Sequence, residues 1–285
     1  MSPGLRRRLK YLLPPALLDA GRFLAGRLNP RWREWEAVPG GWRQGEAALR
    51  VRGWNARSAA EATANGWSDF LASVGSPHPP GGWSDGLESD GSVVPHNTAL
   101  AFAYALAFAA GGRRELSVLD WGGSLGHHYQ VARGLFPDLA LDYHCAEVEA
   151  FCERGAALNP EVRFHSGDDW KARRYDFVMA SCSLHYVEDW ARLVADLAAA
   201  CSGTLFLTRV PCVLHAPSFV QIQRPYRYGF DTEYLGWCLN RDALLERCRG
   251  LGLALERELV TGEAPPILGA PEPCVYRGFL FRAAP

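Results

Sequence analysis

The chain has 285 residues, enough for one large α/β domain with an appended segment or for two smaller domains. Hydrophobic residues make up 48% and charged residues 21%, so a large core can form and global disorder is excluded. The net charge of -1 lacks the basic excess typical of nucleic-acid-binding proteins, so no nucleic-acid partner is expected. The longest apolar run, residues 99–110, is too short to cross a bilayer.

The eight cysteines contain no C-x-x-C pair and no zinc-like spacing with histidines, so we expect neither a metal site nor a disulfide scaffold. A cytoplasmic location is the simplest interpretation, because thiols stay reduced there. Residues 1–28 can form a basic amphipathic helix. Such a helix either packs on the body of the protein or makes weak peripheral contact with an anionic membrane surface or a partner.

The chain divides near residue 94 into two parts of different composition. Residues 1–94 are predicted to form a helical and loop-rich cap. Six of the ten tryptophans lie in residues 30–95, and they either line a substrate pocket or only anchor the cap. Residues 95–285 alternate strands and helices, which predicts a doubly wound, mostly parallel α/β sheet ending in an antiparallel hairpin. The predicted elements of this part are a helix (99–110), a strand (116–120), a helix (126–135), a strand (140–146), a helix (148–158), strands (162–165 and 175–180), a helix (190–200), a strand (203–209), a helix (240–250) and two strands (253–260 and 275–281).

The most informative motif is the run 118–128, a strand followed by a glycine-rich turn and a helix. Glycines permit a tight turn and let a ligand approach the backbone. A dinucleotide fingerprint would place its first glycine at Trp121, and this bulky residue disfavours a pyrophosphate there. The acidic Asp120 before the turn likewise suits a cationic group better than phosphates.

The motif resembles motif I of class I S-adenosylmethionine-dependent methyltransferases. Asp120, Gly122 and Gly126 match its pattern, whereas Ser124 stands at the middle glycine with Gly123 beside it. This Asp-x-Gly-Gly-x-x-Gly form resembles one bacterial family of methyltransferases, and the resemblance extends over 119–281. It implies a Rossmann-like fold, S-adenosylmethionine as cofactor, S-adenosylhomocysteine as product, and cofactor contacts from these five residues.

Acidic residues follow the second and third predicted strands of the sheet. Glu147 can accept hydrogen bonds from two ribose hydroxyls, a feature that suits a methyltransferase and a nicotinamide enzyme equally. By the resemblance, Asp168 or Asp169 would contact the adenine amino group, although either could simply cap a helix.

The run 180–186 follows the fourth strand, where ligands of open parallel sheets bind. Ser183 is therefore a candidate cofactor contact and Tyr186 a candidate substrate contact, unless the tyrosine only packs. His185 could act as a general base, or it could pack in the core. His96 is a second candidate base, or it caps its helix.

Three further residues are candidate substrate contacts. Arg209 ends the fifth strand and could bind an anionic group or form a structural ion pair. The polar and aromatic run 221–228, with Gln223 and Tyr226, is predicted to be a substrate-facing lid or an ordinary loop. The adjacent His127 and His128 contact cofactor or substrate, or lie at the surface. No metal-ligand spacing is present, so metal-independent transfer is expected.

The resemblance implies a methyltransferase whose acceptor is a secondary metabolite or a glycan precursor. The tryptophan-rich segment suits a small or medium-sized acceptor. The nucleophile can be oxygen, nitrogen or carbon, because the reactive methyl group comes with the cofactor. The sequence alone leaves two alternatives open: a non-catalytic domain that binds the cofactor or a partner, and a nicotinamide-dependent oxidoreductase.

Overall fold

The structure is a computed structural model that describes residues 33–48, 53–76 and 93–283. The basic helix predicted for residues 1–28 lies outside the described residues, as does most of the proline- and glycine-rich run 76–82. Among the helices that are described, none combines the length and the apolar character needed to cross a membrane.

A parallel sheet of five strands forms the centre of the molecule. Its strands are β2 (Glu115–Trp121), β3 (Ala140–Ala146), β4 (Arg163–His165), β5 (Tyr175–Ser181) and β6 (Cys201–Val213), and the first strand of the chain, β1, is described below. Their order in the sheet is β4-β3-β2-β5-β6, and every neighbouring pair is parallel.

The last two strands form the predicted antiparallel hairpin, β9 (Leu253–Val260) and β10 (Val275–Ala283). Strand β10 also pairs antiparallel with β6, so it lies between β6 and β9 at one edge of the sheet. The predicted α/β class and the terminal hairpin are therefore confirmed.

Helices cover both faces of the central sheet. Phe177 and Val178 are neighbours in β5, yet they enter two different hydrophobic cores because successive side chains of a strand point to opposite faces. This arrangement confirms the doubly wound fold. The helices are α4 (Val94–Ala110), α5 (His127–Leu135), α6 (Glu149–Leu158), α7 (Trp190–Ala200) and α8 (Arg241–Gly250).

A second, antiparallel ladder extends the sheet beyond its carboxyl edge. It consists of β1 (Trp35–Val38), β7 (Phe219–Gln223) and β8 (Tyr234–Asn240), and β8 pairs with the far end of β6. Residues 221–223 are thus part of a buried strand, and the prediction of a loop or lid there is wrong for them. The end of the same run, Tyr226–Tyr228, forms a short 3₁₀ turn.

The amino-terminal part packs directly on the main fold. Its helices are α1 (Gly41–Ala48), α2 (Arg57–Asn65) and α3 (Trp67–Val74), and the side chains of Trp67 and Phe70 enter the larger core. In the described residues of this part, 33–48 and 53–76, the helical and loop-rich character is confirmed, with β1 as an addition. The domain boundary at residue 94 stays a prediction.

One disulfide joins Cys238 of β8 to Cys274, which lies just before β10. Both residues are buried beside Val213. The spacing of the cysteines along the chain did not indicate this disulfide, because the two residues are 36 positions apart and only the fold brings them together.

Candidate active site

A cavity of about 670 Å3 lies at the carboxyl ends of β2, β3 and β5, where an open parallel sheet binds its ligands, and Arg209 of β6 also lines it. Its walls come from the glycine-rich turn, the loops after β3, β4 and β5, the amino-terminal part and β8. Eight residues predicted as site residues line it: Gly122, Gly123, Ser124, Glu147, Asp168, Ser183, Tyr186 and Arg209.

The glycine-rich turn has no room for side chains at its first two positions. Gly122 has φ +70°, and a Cβ there would collide with the side chain of Ser183. A Cβ on Gly123 would lie 2.6 Å from Asp120 Oδ2 and 2.8 Å from the Cys145 sulfur. The neighbouring side chains therefore fill the space that a side chain would need, and the backbone of Gly122 and Gly123 forms part of the cavity wall.

Asp120 lies beneath the turn and does not line the cavity. Its carboxylate is fully buried, and Oδ2 accepts a hydrogen bond of 2.8 Å from the Tyr143 hydroxyl. The same oxygen lies 3.1 Å from His128 Nδ1. Asp120 thus supports the turn from below, and its side chain does not reach the cavity wall. Gly126, the residue that precedes α5, is likewise absent from the wall.

Glu147 faces the turn from the end of β3. Its Oε2 accepts from the Ser124 amide at 3.1 Å, and its Oε1 accepts from the Val148 amide at 2.8 Å. Burial raises the pKa of Glu147 to about 7, although the two amide hydrogen bonds oppose that change. The side chain therefore titrates near neutral pH while it lines the cavity.

The two aspartates after β4 have different environments. Asp168 lines the cavity and forms a 2.9 Å ion pair with Lys171. Asp169 instead approaches His165 Nδ1 at 2.6 Å and does not line the cavity. His165 itself reaches the wall, and its Nε2 lies 2.7 Å from His144 Nδ1.

Neither predicted base reaches the cavity. His185 is fully buried beneath Tyr186, with ring centroids 4.0 Å apart, and neither ring nitrogen has a hydrogen-bond partner. Burial, assisted by the nearby Arg209, lowers the pKa of His185 to about 3. His96 lies in the first turn of α4, also away from the cavity wall. The buried position of His185 fits packing rather than proton transfer.

The predicted substrate contacts divide into two groups. Tyr186 lines the cavity and donates a 2.8 Å hydrogen bond to Gln223 Oε1, whereas Gln223 itself lies behind the wall. Tyr226 also lies away from the wall and donates to Glu233 at 2.7 Å. Both of these side chains were predicted to face a substrate, but here they support their neighbours.

Arg209 reaches the cavity as one half of an ion pair. Its Nε and Nη2 donate to the two carboxylate oxygens of Glu263 at 2.8 and 2.6 Å. Both side chains are largely buried. Of the two roles that the sequence allowed for Arg209, the structural ion pair is therefore present, and the carboxylate of Glu263 balances the charge of Arg209.

Three non-glycine residues with positive φ meet at this edge of the sheet. Ser124, Cys182 and Arg209 have φ values of 55°, 54° and 50°. Ser124 and Cys182 follow β2 and β5, whereas Arg209 lies within β6, which continues to Val213 instead of ending at residue 209 as predicted. All three line the cavity. Such strained conformations concentrate at binding sites because the surrounding structure must hold them there.

Trp42 and Trp54 line the cavity, as one of the two interpretations of the tryptophan-rich run predicts, whereas Glu46 and Tyr234 were not predicted from the sequence as site residues. Trp54 stacks on Tyr234 with centroids 4.2 Å apart and contacts Tyr186 edge-on at 5.2 Å. Trp42 and Glu46 lie one turn apart on α1, and Trp42 Nε1 donates to Glu46 at 3.1 Å. Their i, i+4 spacing was the available signal for a shared face of a helix.

The two adjacent histidines of α5, His127 and His128, are buried and line the cavity, so the surface alternative is wrong for both. Within the described part of the chain, no group of three or more histidine, cysteine, aspartate or glutamate side chains could hold a metal ion. Metal-independent transfer stays a prediction.

Comparisons with known proteins give one match in sequence and several in fold. A family model described as a methyltransferase domain matches residues 95–258. The search of curated proteins found no match.

Three solved structures have a similar fold. Magnesium protoporphyrin IX methyltransferase from Synechocystis PCC 6803, with bound S-adenosylmethionine, has 13% identity over 79% of this chain and 97% of that chain, with a TM-score of 0.47. The 1,6-didemethyltoxoflavin-N1-methyltransferase from Burkholderia thailandensis, with 1,6-didemethyltoxoflavin and S-adenosylhomocysteine bound, has 18% identity, coverages of 65% and 79%, and a TM-score of 0.44. An S-adenosylmethionine-dependent methyltransferase from Clostridium acetobutylicum has 9% identity, coverages of 66% and 92%, and a TM-score of 0.46.

Proposed function

Because the chain belongs to the methyltransferase-domain family, we propose that it transfers a methyl group from S-adenosylmethionine to a small-molecule acceptor. Family membership confirms the predicted enzyme class. A cytoplasmic location and the absence of a nucleic-acid partner belong to the same proposal. The absence of a nucleic-acid partner rests on the balanced charge of the chain. The cytoplasmic location rests on the six cysteines that are free thiols, beside the one disulfide.

The observation that carries the proposal is the placement of the glycine-rich turn and Glu147 in the wall of one cavity. The backbone of Gly122 and Gly123 forms part of this wall, and neither residue has a side chain that could fill the cavity. Glu147 lies across from Ser124 and can accept hydrogen bonds from ribose hydroxyls. Asp168 lies farther along the wall, where an adenine amino group would find an acceptor. These residues fit the cofactor.

The sulfonium of the bound cofactor would supply an electrophilic methyl group. The chain itself mainly has to align a nucleophile with that group and to exclude water. Ser183 and Tyr186 lie beyond the turn, and Trp54 and Tyr234 close the cavity beside them. We place the acceptor against these aromatic side chains.

Calorimetric titration with S-adenosylhomocysteine, NADH and NADPH tests the cofactor assignment. We expect micromolar binding of S-adenosylhomocysteine and no binding of either nicotinamide nucleotide. Binding of a nicotinamide nucleotide alone would support the oxidoreductase alternative and contradict the proposal. Cofactor binding without methyl transfer to any member of a broad panel of amines, alcohols and thiols would support the non-catalytic alternative.

The affinity for S-adenosylhomocysteine is expected to rise with pH between 6 and 8. The carboxylate of Glu147 can accept from both ribose hydroxyls, whereas the protonated acid has lost part of that capacity. With a pKa of about 7, Glu147 passes from mostly neutral to mostly charged over this range. If only the charged form binds well, the affinity increases about tenfold and levels off above pH 8.

Calorimetry at pH 6, 7 and 8 measures this change in the protein and in Glu147→Gln, whose side chain does not titrate. The pH dependence should disappear in the variant. His127 does not interfere, because burial lowers its pKa to about 3. An identical pH dependence in the variant would assign the titration to another group.

A further inference from the structure

We propose that the acceptor is an amine on an aromatic or apolar frame, and that acceptors with a carboxylate or phosphate at this end of the cavity are disfavoured. This proposal rests on the methyl transfer proposed above and specifies its acceptor. The relevant surface, called here the acceptor side, consists of Trp42, Glu46, Trp54, Tyr234 and Leu235, all of which line the cavity.

The first argument is the charge of the wall. Among the described residues that line the cavity, Arg209 is the one lysine or arginine side chain. Its two hydrogen bonds to Glu263 balance the guanidinium with a carboxylate that is nearly as buried. An anionic acceptor would therefore enter a wall that provides no uncompensated cation from the described residues.

The second argument is the carboxylate at the mouth of the cavity. Glu46 is exposed, and the indole N–H of Trp42 holds its Oε1 at 3.1 Å, beside the ring itself. A carboxylate adjacent to an aromatic ring suits an ammonium group, which gains both ionic and cation–π attraction. The same pair repels an acceptor of negative charge.

The third argument is the shape and polarity of the rest of the acceptor side. Trp54 and Tyr234 stack with an interplanar angle of 4°, and Leu235 follows in the same strand. The flat aromatic pair and the aliphatic side chain favour an acceptor with an apolar or aromatic frame.

The fourth argument concerns proton removal. His127 is enclosed by Trp67 and Phe70 at centroid distances of 4.9 and 4.7 Å, and burial lowers its pKa to about 3. The other two histidines of the wall are engaged with carboxylates: His128 with Asp120, and His165 with Asp169. Burial therefore makes His127 a poor base for an acceptor hydroxyl.

A neutral amine does not need such a base. After an ammonium group loses its proton to water, the nitrogen lone pair forms a bond to the methyl carbon. The carbon–sulfur bond breaks, its electron pair stays on sulfur, and the methylated ammonium product releases a proton to solvent. Atoms and charge balance without an additional co-reactant, which suits a site that offers orientation more than proton transfer.

Binding of matched probes to the protein saturated with S-adenosylhomocysteine tests the proposal. Tryptamine and phenethylamine are compared by calorimetry with indole-3-propionate and 3-phenylpropionate, which have similar frames and the opposite charge. We expect each amine to bind about tenfold more tightly than its acid. Equal or tighter binding of the acids, or failure of both amines to bind at millimolar concentration, would overturn the proposal.

Two variants locate the effect. Glu46→Gln should weaken amine binding about threefold, the range expected for an exposed ion pair, while Glu115→Gln at the opposite end of β2 should change nothing. Glu263→Gln leaves Arg209 without its carboxylate and should tighten binding of the acids. An unchanged amine affinity in Glu46→Gln also contradicts the proposal.

The titration with S-adenosylhomocysteine tests methyl transfer separately from the assignment of the acceptor. If this ligand does not bind, the proposed function itself fails. If it binds and the acids are preferred over the amines, methyl transfer stands and only the acceptor assignment is wrong.

Discussion

Replacing Gly122 by alanine is expected to weaken S-adenosylhomocysteine binding at least about 100-fold. The backbone of Gly122 has φ +70°, a conformation that L-residues adopt only with strain. Its new Cβ would also collide with the Cβ of Ser183, which has little freedom to move because its hydroxyl donates to the Trp121 carbonyl at 2.9 Å. The turn and the loop after β5 must then separate, and the surface that receives the ligand is lost.

Gly167→Ala is the matched control for this prediction. Gly167 also lines the cavity, but a Cβ there would meet no atom within 4 Å, and its φ is not positive. We expect the affinity of this variant to stay within about threefold of the unmodified protein. Circular dichroism and thermal unfolding establish that both variants fold. A folded Gly122→Ala protein with unchanged affinity would show that the ligand does not bind at this turn.

The central fold could be predicted because its signals are local. Each parallel strand is a short apolar run, and each helix between strands has its own composition and termination, as with the glycines after α4. The structure places α4 from Val94, five residues before the predicted start at residue 99, because Pro95 fits the first turn of a helix. Errors of this kind do not change the topology.

The antiparallel ladder was missed because its polar side chains are buried. Val220 and Ile222 pack in a small core, whereas the alternate residues Gln221 and Gln223 point away from it. Alternation of apolar and polar residues is typical of a strand, but glutamines and aromatic residues in sequence also suggest an exposed loop. Burial of Gln223 depends on Tyr186, a partner 37 residues away, which no local pattern reveals.

The position of a residue in the cavity wall could be predicted where one residue type has one role. Glycines at the turn and an acid after β3 were identified because backbone exposure and hydrogen-bond acceptance follow from residue type and position. His185 failed that test, because its neutral reference pKa applies only when water reaches the ring, and here the ring is buried. The aromatic wall depends on residues from three distant segments, so only the fold could show it.

Replacing Asp120 by alanine is expected to destabilise the protein by about 3 kcal/mol as well as to weaken cofactor binding. The carboxylate is fully buried and receives the hydroxyl of Tyr143 at 2.8 Å. Burial and the charge of Asp120 raise the pKa of Tyr143, so this hydroxyl stays protonated and donates. Removing Asp120 leaves that buried donor without its acceptor and leaves a cavity directly beneath Gly123.

The double variant Asp120→Ala, Tyr143→Phe separates the lost hydrogen bond from the lost support of the turn. Removing the orphaned hydroxyl should restore about 1 kcal/mol of stability, because the buried donor is then absent. Cofactor affinity should stay low, since the space beneath Gly123 remains empty. Asp138→Ala, at an exposed site between α5 and β3, serves as the control and should change stability by less than about 0.5 kcal/mol. Denaturant unfolding and calorimetry measure the two effects. If Asp120→Ala keeps both its stability and its affinity, then the turn does not depend on the carboxylate beneath it, and the binding site must be sought elsewhere in the cavity.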